Sequence, residues 1–330
     1  PRKRLFKCRF GIPLLPYFSC LKNNTMPIPT WQGVYPAITT KFNQAGTLDL
    51  PLFASALQAQ AEAGVHGIII GGSLGEASTL TTPEKQQLVQ TALHEVGHRM
   101  PVILNIAEGS TAEAIHQAQL AQQWGAHGLM LLPPMRYKAD DRETVAHFMA
   151  IARATSLPIL IYNNPVDYGI NITADMFAQL LEMPNIQAVK ESTRDVTNVT
   201  RLANRFGSRL AIMGGVDTLA MECLLMGAQG WVAGLVCAFP AETVCIYNLV
   251  KAGRITEARQ IYRWFMPLLE LDIHPKLVQY IKLCEAHTGL GNEWVRPPRL
   301  TLVGAERQRV EAIITEALAN RPVLPQYKNL

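Results

Sequence analysis

From Gly33 onward the chain repeats one pattern: a short, largely apolar run, a polar break, then a longer stretch with apolar residues every three or four positions. The short runs are Gly33–Thr39, Gly67–Ile70, Val102–Ile106, Gly128–Leu132, Ile159–Tyr162, Ile186–Lys190, Leu210–Met213 and Gly230–Ala233. They are apolar on both faces, as strands covered on both sides must be. The stretches between them predict helices over Leu50–Ala63, Thr82–Val96, Thr111–Trp124, Arg142–Ala154, Thr173–Leu181, Val196–Arg205, Thr218–Met226 and Pro240–Lys251. In the second of these Thr82 is expected as N-cap, with Pro83 at the first helical position and Glu84 in the first turn. Strict alternation of strand and helix predicts an α/β fold, a (β/α)8 TIM barrel over residues 26–254. A doubly wound open sheet is the other architecture, but its G-x-G-x-x-G phosphate turn is missing. After residue 254 the alternation stops. Ile255–Leu271, Lys276–Thr288 and Gly304–Ala319 read as helices of a C-terminal extension over 255–330, packed on the barrel or on another subunit.

Composition narrows the class. With 48% hydrophobic and 17% charged residues, the 330-residue chain can bury a large core. It contains no apolar run long enough to span a bilayer. The six cysteines include no C-x-x-C pair, which speaks for a reducing, cytoplasmic setting rather than a disulfide scaffold. Arg2, Lys3, Arg4, Lys7, Arg9 and Lys22 put +6 on the first 25 residues, so the rest carries −2 of the total +4. That balance leaves no nucleic-acid footprint on the body and no membrane partner. Residues 1–25 run basic, apolar, then polar, in the order of a targeting segment, but Pro13 and Pro16 break the apolar part. They are expected to be a non-structural basic extension.

In a (β/α)8 barrel the reactive groups stand at the C-terminal ends of the strands. The sixth strand ends in Lys190. An ammonium there is costly to bury, so its pKa would fall and leave a free amine able to form a Schiff base with a ketone. The plain alternative is an amine that reaches past the strand end into water. The fifth strand, its neighbour, ends Tyr162-Asn163-Asn164-Pro165. A phenol at that point can move protons during imine formation, or can simply be a satisfied barrel-mouth hydroxyl. The second strand ends Gly71-Gly72-Ser73-Leu74-Gly75-Glu76, where backbone N–H groups and the Ser73 hydroxyl can face a carboxylate, or merely make a tight turn.

Taken together, Gly72-Ser73-x-Gly75-Glu76, Tyr162-Asn163-x-Pro165, Lys190-Glu191-Ser192-Thr193 and Gly214-Gly215-x-Asp217 resemble the dihydrodipicolinate synthase/N-acetylneuraminate lyase family of class I aldolases, from about Trp31 to Thr288. The resemblance implies Lys190 as Schiff-base lysine and Tyr162 as proton relay. It implies Gly72, Ser73 and Leu74 as the carboxylate-binding loop, and Gly215 and Val232 as pocket lining. It also implies a homodimer or homotetramer, a small 2-oxo acid as ligand, and no cofactor or metal beyond the substrate imine. Three positions depart from the synthases of this family. Leu74 replaces a threonine, Arg136 stands where a neighbouring subunit's tyrosine is expected (Tyr137 is next to it), and Asp167 replaces an arginine that holds the second substrate's carboxylate. The Tyr-Asn-Asn-Pro form is similar to members that dehydrate 2-keto-3-deoxy sugar acids or deaminate pyrroline-4-hydroxy-2-carboxylate. Elimination at C4 is therefore the first expectation, with Asp167 and Arg136 against the substrate. A pyruvate-dependent aldolase or a dihydrodipicolinate (4-hydroxy-tetrahydrodipicolinate) synthase is the alternative, and a catalytically silent 2-oxo acid-binding barrel is the reading of another class.

His94-Glu95-Val96-Gly97-His98 matches the zinc-protease H-E-x-x-H pattern, but Gly97 and Pro101 read as the end of the helix, so no zinc site is expected. Cys223, Cys237 and Cys245 read as core, Trp231, Trp264 and Trp294 as packing, and Lys138–Glu143 as a solvated helix start.

Overall fold

The computed structural model describes residues 28–134, 137–328 and 330. The basic segment 1–25 and Arg136 lie outside them. Eight parallel strands are laid down in the order β1-β8-β7-β6-β5-β4-β3-β2. They are β1 (Gly33–Pro36), β2 (Ile68–Ile70), β3 (Val102–Ile106), β4 (Gly128–Leu131), β5 (Ile159–Asn163), β6 (Ile186–Glu191), β7 (Ala211–Gly214) and β8 (Gly230–Ala233). The seam between β1 and β2 is held by an Ala37–Ile69 bridge and by Ile38 N–H donating to the Ile69 carbonyl at 3.0 Å. This is a (β/α)8 barrel. β1 ends at Pro36, short of the expected Thr39: Ala37 still donates to the Ala233 carbonyl at 2.9 Å, but from Ile38 the chain bonds β2 instead of β8.

Between the strands run α1 (Leu50–Ala63), α2 (Thr82–Glu95), α3 (Thr111–Gln123), α4 (Asp141–Arg153), the single-turn α5 (Pro165–Tyr168), α6 (Ala174–Leu180), α7 (Thr197–Phe206) and α8 (Ala220–Leu225). After β8 come α9 (Pro240–Lys251), α10 (Ile255–Leu269), α11 (Leu277–Thr288) and α12 (Gly304–Ala319). The cap of α2 is Thr81, not Thr82. Its side chain takes the Glu84 N–H, while the Glu84 carboxylate accepts the Thr81 N–H at 2.9 Å, so the T-x-x-E box lies one residue earlier than expected. α8 is shorter than expected because Asp217 turns its carboxylate toward the β8 loop and leaves the helix start uncapped. α10 carries Pro267 and gives way to a tight turn at Glu270–Ile273 rather than running on to Leu271.

The core has two parts. A large cluster fills the space between strands and helices. A smaller one fills the barrel, from Trp31 and Tyr35 through Ile69, Met130 and Leu160 to Tyr162, Ala188, Met213 and Val232. All four described cysteines are buried, and burial pushes the Cys223 and Cys245 thiols up to about 12. Among the described residues no helix is long and apolar enough to cross a membrane.

The C-terminal helices grip the barrel mouth through buried ion pairs. Lys282 on α11 meets Glu76 at 2.6 Å with both side chains fully buried, and Lys41 pairs with Glu285 in the same way. The other Glu76 oxygen accepts the Arg296 N–H at 3.0 Å. Removing one partner of such a pair leaves a buried, uncompensated charge, so Lys282→Ala is expected to cost about 3–5 kcal/mol of stability in urea denaturation. A loss below about 1 kcal/mol would mean that the Glu76 charge reaches water.

Candidate active site

A cavity of about 510 Å³ opens at the C-terminal ends of the strands, within the size range of small-molecule sites. On β6, Ala188 belongs to the inner core, so two residues on Lys190 also points inward. Parallel pairing sets Lys190 opposite Tyr162 on β5 and Met213 on β7. Lys190 is 7% exposed, and its Nζ lies 4.1 Å from the centre of the Tyr162 ring. Gly215 makes room for it. A Cβ there would stand 2.1 Å from Ser192 Oγ and 2.6 Å from Lys190 Cγ. Burial holds the Lys190 amine below the usual lysine value, against the pull of Tyr168, Asp272, Asp217 and Asp167.

Tyr162 is pushed up to about 12, mainly by burial, so it carries its proton at neutral pH. Its hydroxyl oxygen accepts a bond of 3.1 Å from Asn164 Nδ2, which also donates to Asp167 Oδ2 at 2.7 Å. Asn164 caps α5 by taking the Asp167 N–H at 3.2 Å, which seats Asp167 in the cavity wall. Tyr168, at the end of the same turn, packs edge-on against Tyr162 at 5.5 Å and shares a 2.7 Å hydrogen bond with Ser73.

The loop after β2 is fixed from three sides. Gly71 takes φ +67, open to glycine at no steric cost, and its carbonyl accepts Asn105 Nδ2 at 2.9 Å. The Glu76 N–H bonds the Ser73 carbonyl at 3.1 Å, and Glu76, itself at φ 56, is anchored by Lys282 and Arg296. Among the described residues neither the Ser73 nor the Leu74 N–H donates a backbone bond, so both are available to an anion.

Of the residues singled out in the sequence, Lys190, Tyr162, Gly72, Ser73, Leu74, Asp167, Gly215 and Val232 all line this one cavity. Tyr137 does not. It is 61% exposed and donates to Glu143 at 3.0 Å. His94-Glu95-x-x-His98 straddles the end of α2, and among the described residues no group of three or more His, Cys, Asp or Glu is arranged to hold a metal. The reading of the sequence missed Tyr168, Ser192, Arg194 and Asp272, which share the cavity. Tyr168 had a signal, standing three residues beyond Pro165 on the turn that proline starts. Asp272 had none, because it comes from beyond the barrel.

An amine whose proton affinity burial lowers, beside a protonated phenol in a small cavity, can once deprotonated attack a carbonyl and move the protons that follow. Holding that amine in an apolar place costs stability. Lys190→Met is therefore expected to stabilise the fold by about 1–3 kcal/mol near neutral pH. The folded lysine binds its proton less tightly than the unfolded one, so the gain shrinks as pH rises toward the ordinary value of 10.5. Denaturation of both proteins across that pH range checks this, and a Met variant less stable at every pH would contradict it.

Residues 30–317 match the dihydrodipicolinate synthetase family. A 4-hydroxy-tetrahydrodipicolinate synthase from Exiguobacterium sibiricum is 34% identical over 276 residues, 83% of this chain and 92% of that protein. The structure of the 4-hydroxy-tetrahydrodipicolinate synthase from Methylacidiphilum fumariolicum SolV superposes with TM-score 0.81 at 31% identity, covering 88% of this chain and 97% of that one. The chloride-inhibited dihydrodipicolinate synthase from Acinetobacter baumannii, complexed with pyruvate, gives TM-score 0.82 at 27% identity over 87% and 99% of the two chains. With the family model spanning nearly the whole barrel and extension, the chain belongs to the dihydrodipicolinate synthetase family of Schiff-base lyases.

Proposed function

We propose that the enzyme captures a small 2-oxo acid of the pyruvate type on Lys190 and joins its C3 to a second carbonyl compound, or runs that reaction in reverse. The observation that carries this reading is the buried Lys190 amine against the Tyr162 phenol on the cavity floor. The Nζ lone pair attacks C2 of the acid, and the Tyr162 proton leaves with the C2 hydroxyl as water, giving an iminium. The Tyr162 oxygen then takes a proton from C3, and an enamine forms. The Ser73 hydroxyl and the Ser73 and Leu74 amides hold the acid's carboxylate, with Gly72 in the same loop and Gly215 and Val232 shaping the wall. No cofactor or metal is needed for these steps.

The choice of joining over elimination reverses the first expectation from the sequence. What supports it is that the related proteins named above are called synthases. One observation favours the second reading, elimination of water or ammonia at C4. Asp167 stands in the cavity wall where a cation would serve a partner bearing a carboxylate. Release of ammonia or of a dehydrated 2-oxo product, without pyruvate-dependent loss of aldehyde, would decide for it. We further place the enzyme in the cytoplasm as a homodimer or homotetramer, which sedimentation of the purified protein tests.

Incubation with pyruvate followed by borohydride is expected to leave a reduced adduct on the Lys190 peptide, absent from Lys190→Ala. Tyr162→Phe is expected to slow adduct formation about 10²–10⁴-fold, the usual range for a lost proton-transfer group. A folded wild-type protein that traps neither pyruvate nor a longer 2-oxo acid would favour the catalytically silent barrel instead.

A further inference from the structure

Asp272 lies in the tight turn Glu270–Ile273 that follows α10, outside the barrel proper, yet it lines the same cavity as Lys190, Tyr162 and Asp167. Its seat is built for it. A Cβ on Gly234, at the end of β8, would come within 2.1 Å of Asp272 Oδ1, so only glycine lets the carboxyl in. The charged and titratable groups around it come from several elements: Lys190 from β6, Asp217 after β7, Asp167 from α5, Tyr162 from β5, and His274 from its own turn.

Two carboxyls share this neighbourhood, and they are held differently. Asp217 accepts bonds from Trp231 Nε1 at 2.8 Å and from the N–H groups of Gly234 and Leu235 at 3.1 and 2.8 Å. Such donors favour a carboxylate. Among the described residues no hydrogen-bond donor acts on Asp272. Burial and the nearby Asp217 and Asp167 carry its pKa well above the ordinary value, with Lys190 opposing. Both buried carboxyls are raised, but only Asp217 is compensated by hydrogen bonds, so of the two Asp272 holds a proton more readily. A carboxyl kept neutral in an apolar site can serve as an acid at neutral pH.

The second half of the reaction needs such an acid. Tyr162 is engaged at C2 and C3, the Ser73 hydroxyl is paired with Tyr168, and Leu74 has no proton to give. We propose that Asp272 is the catalytic acid that protonates the oxygen on C4 of the Lys190-bound substrate. The proposal rests on the Schiff-base reading above. In the joining direction the enamine electrons form the C3–C4 bond and the nitrogen returns to an iminium. The C4–O π pair moves onto oxygen, and the Asp272 proton goes to that oxygen, leaving a carboxylate that water reprotonates. Cleavage is the reverse, with the Asp272 carboxylate accepting the C4 hydroxyl proton. In an elimination the same proton departs with the C4 oxygen as water.

Asp272→Asn keeps the shape and removes the acid. The whole enzyme is assayed with pyruvate and aspartate semialdehyde, with 2-keto-3-deoxy acids as further probes. The variant is expected to lose at least about 100-fold in kcat on the best probe. Its rate of borohydride trapping by pyruvate should stay within threefold, since imine formation does not use C4. Independently of any probe, the infrared difference between wild type and Asp272→Asn at neutral pH should contain a protonated-carboxyl carbonyl stretch. A kcat within threefold of wild type, a carboxylate-only difference spectrum, or equal loss of trapping and turnover in a folded variant would overturn the proposal. Absence of any trapping in the wild type would instead remove the Schiff-base reading on which it stands.

Discussion

An ammonium ion gives up its hydration when a protein closes over it, and nothing in an apolar barrel replaces that water. The arrangement around Lys190 follows from this one cost. Strand register points the side chain inward at 7% exposure, and Gly215 leaves the gap it occupies. The acidic groups of the cavity favour the charged form, but burial outweighs them and the amine is held low. Stability is thereby exchanged for a lysine that gives up its proton more readily, a common feature of sites whose chemistry needs a group in the wrong solvent.

The C-terminal extension forms part of the cavity wall. Lys282 on α11 reaches Glu76 at the root of the Ser73 loop, so the proposed carboxylate-binding turn is fixed by a helix formed from the last part of the chain. The turn between α10 and α11 brings Asp272 to the mouth beside strand ends contributed by the barrel. The barrel thus supplies the groups proposed to act at C2 and C3, and the extension supplies one proposed to act further along the substrate.

How much of this the sequence disclosed depends on the range of the interaction. Strand and helix identities come from local patterning, and all eight strands of the barrel appear where apolar runs stood. That Lys190, Tyr162 and Ser73 would meet at one cavity was legible because strand ends in such a barrel converge on one face. The errors are small: the capping box began at Thr81, β1 ended where the chain turned from β8 to β2, and Asp217 was drawn away from α8. Asp272 was illegible because its role depends on packing between a turn and a glycine 38 residues earlier in the chain, which no spacing rule reports. The choice between joining and eliminating was illegible too, since the shape of the cavity beyond Lys190, where Asp167, Arg194 and Asp272 lie, comes from long-range packing.

The central claim is that the fold weakens the hold of the Lys190 amine on its proton. NMR titration of the lysine side chains, with the Lys190 signal assigned by its loss in Lys190→Ala, tests this most directly. The account predicts a midpoint for Lys190 clearly below the ordinary 10.5. A midpoint at or above that value would mean that the ammonium is solvated or firmly paired, and the proposed imine chemistry would lose its physical basis.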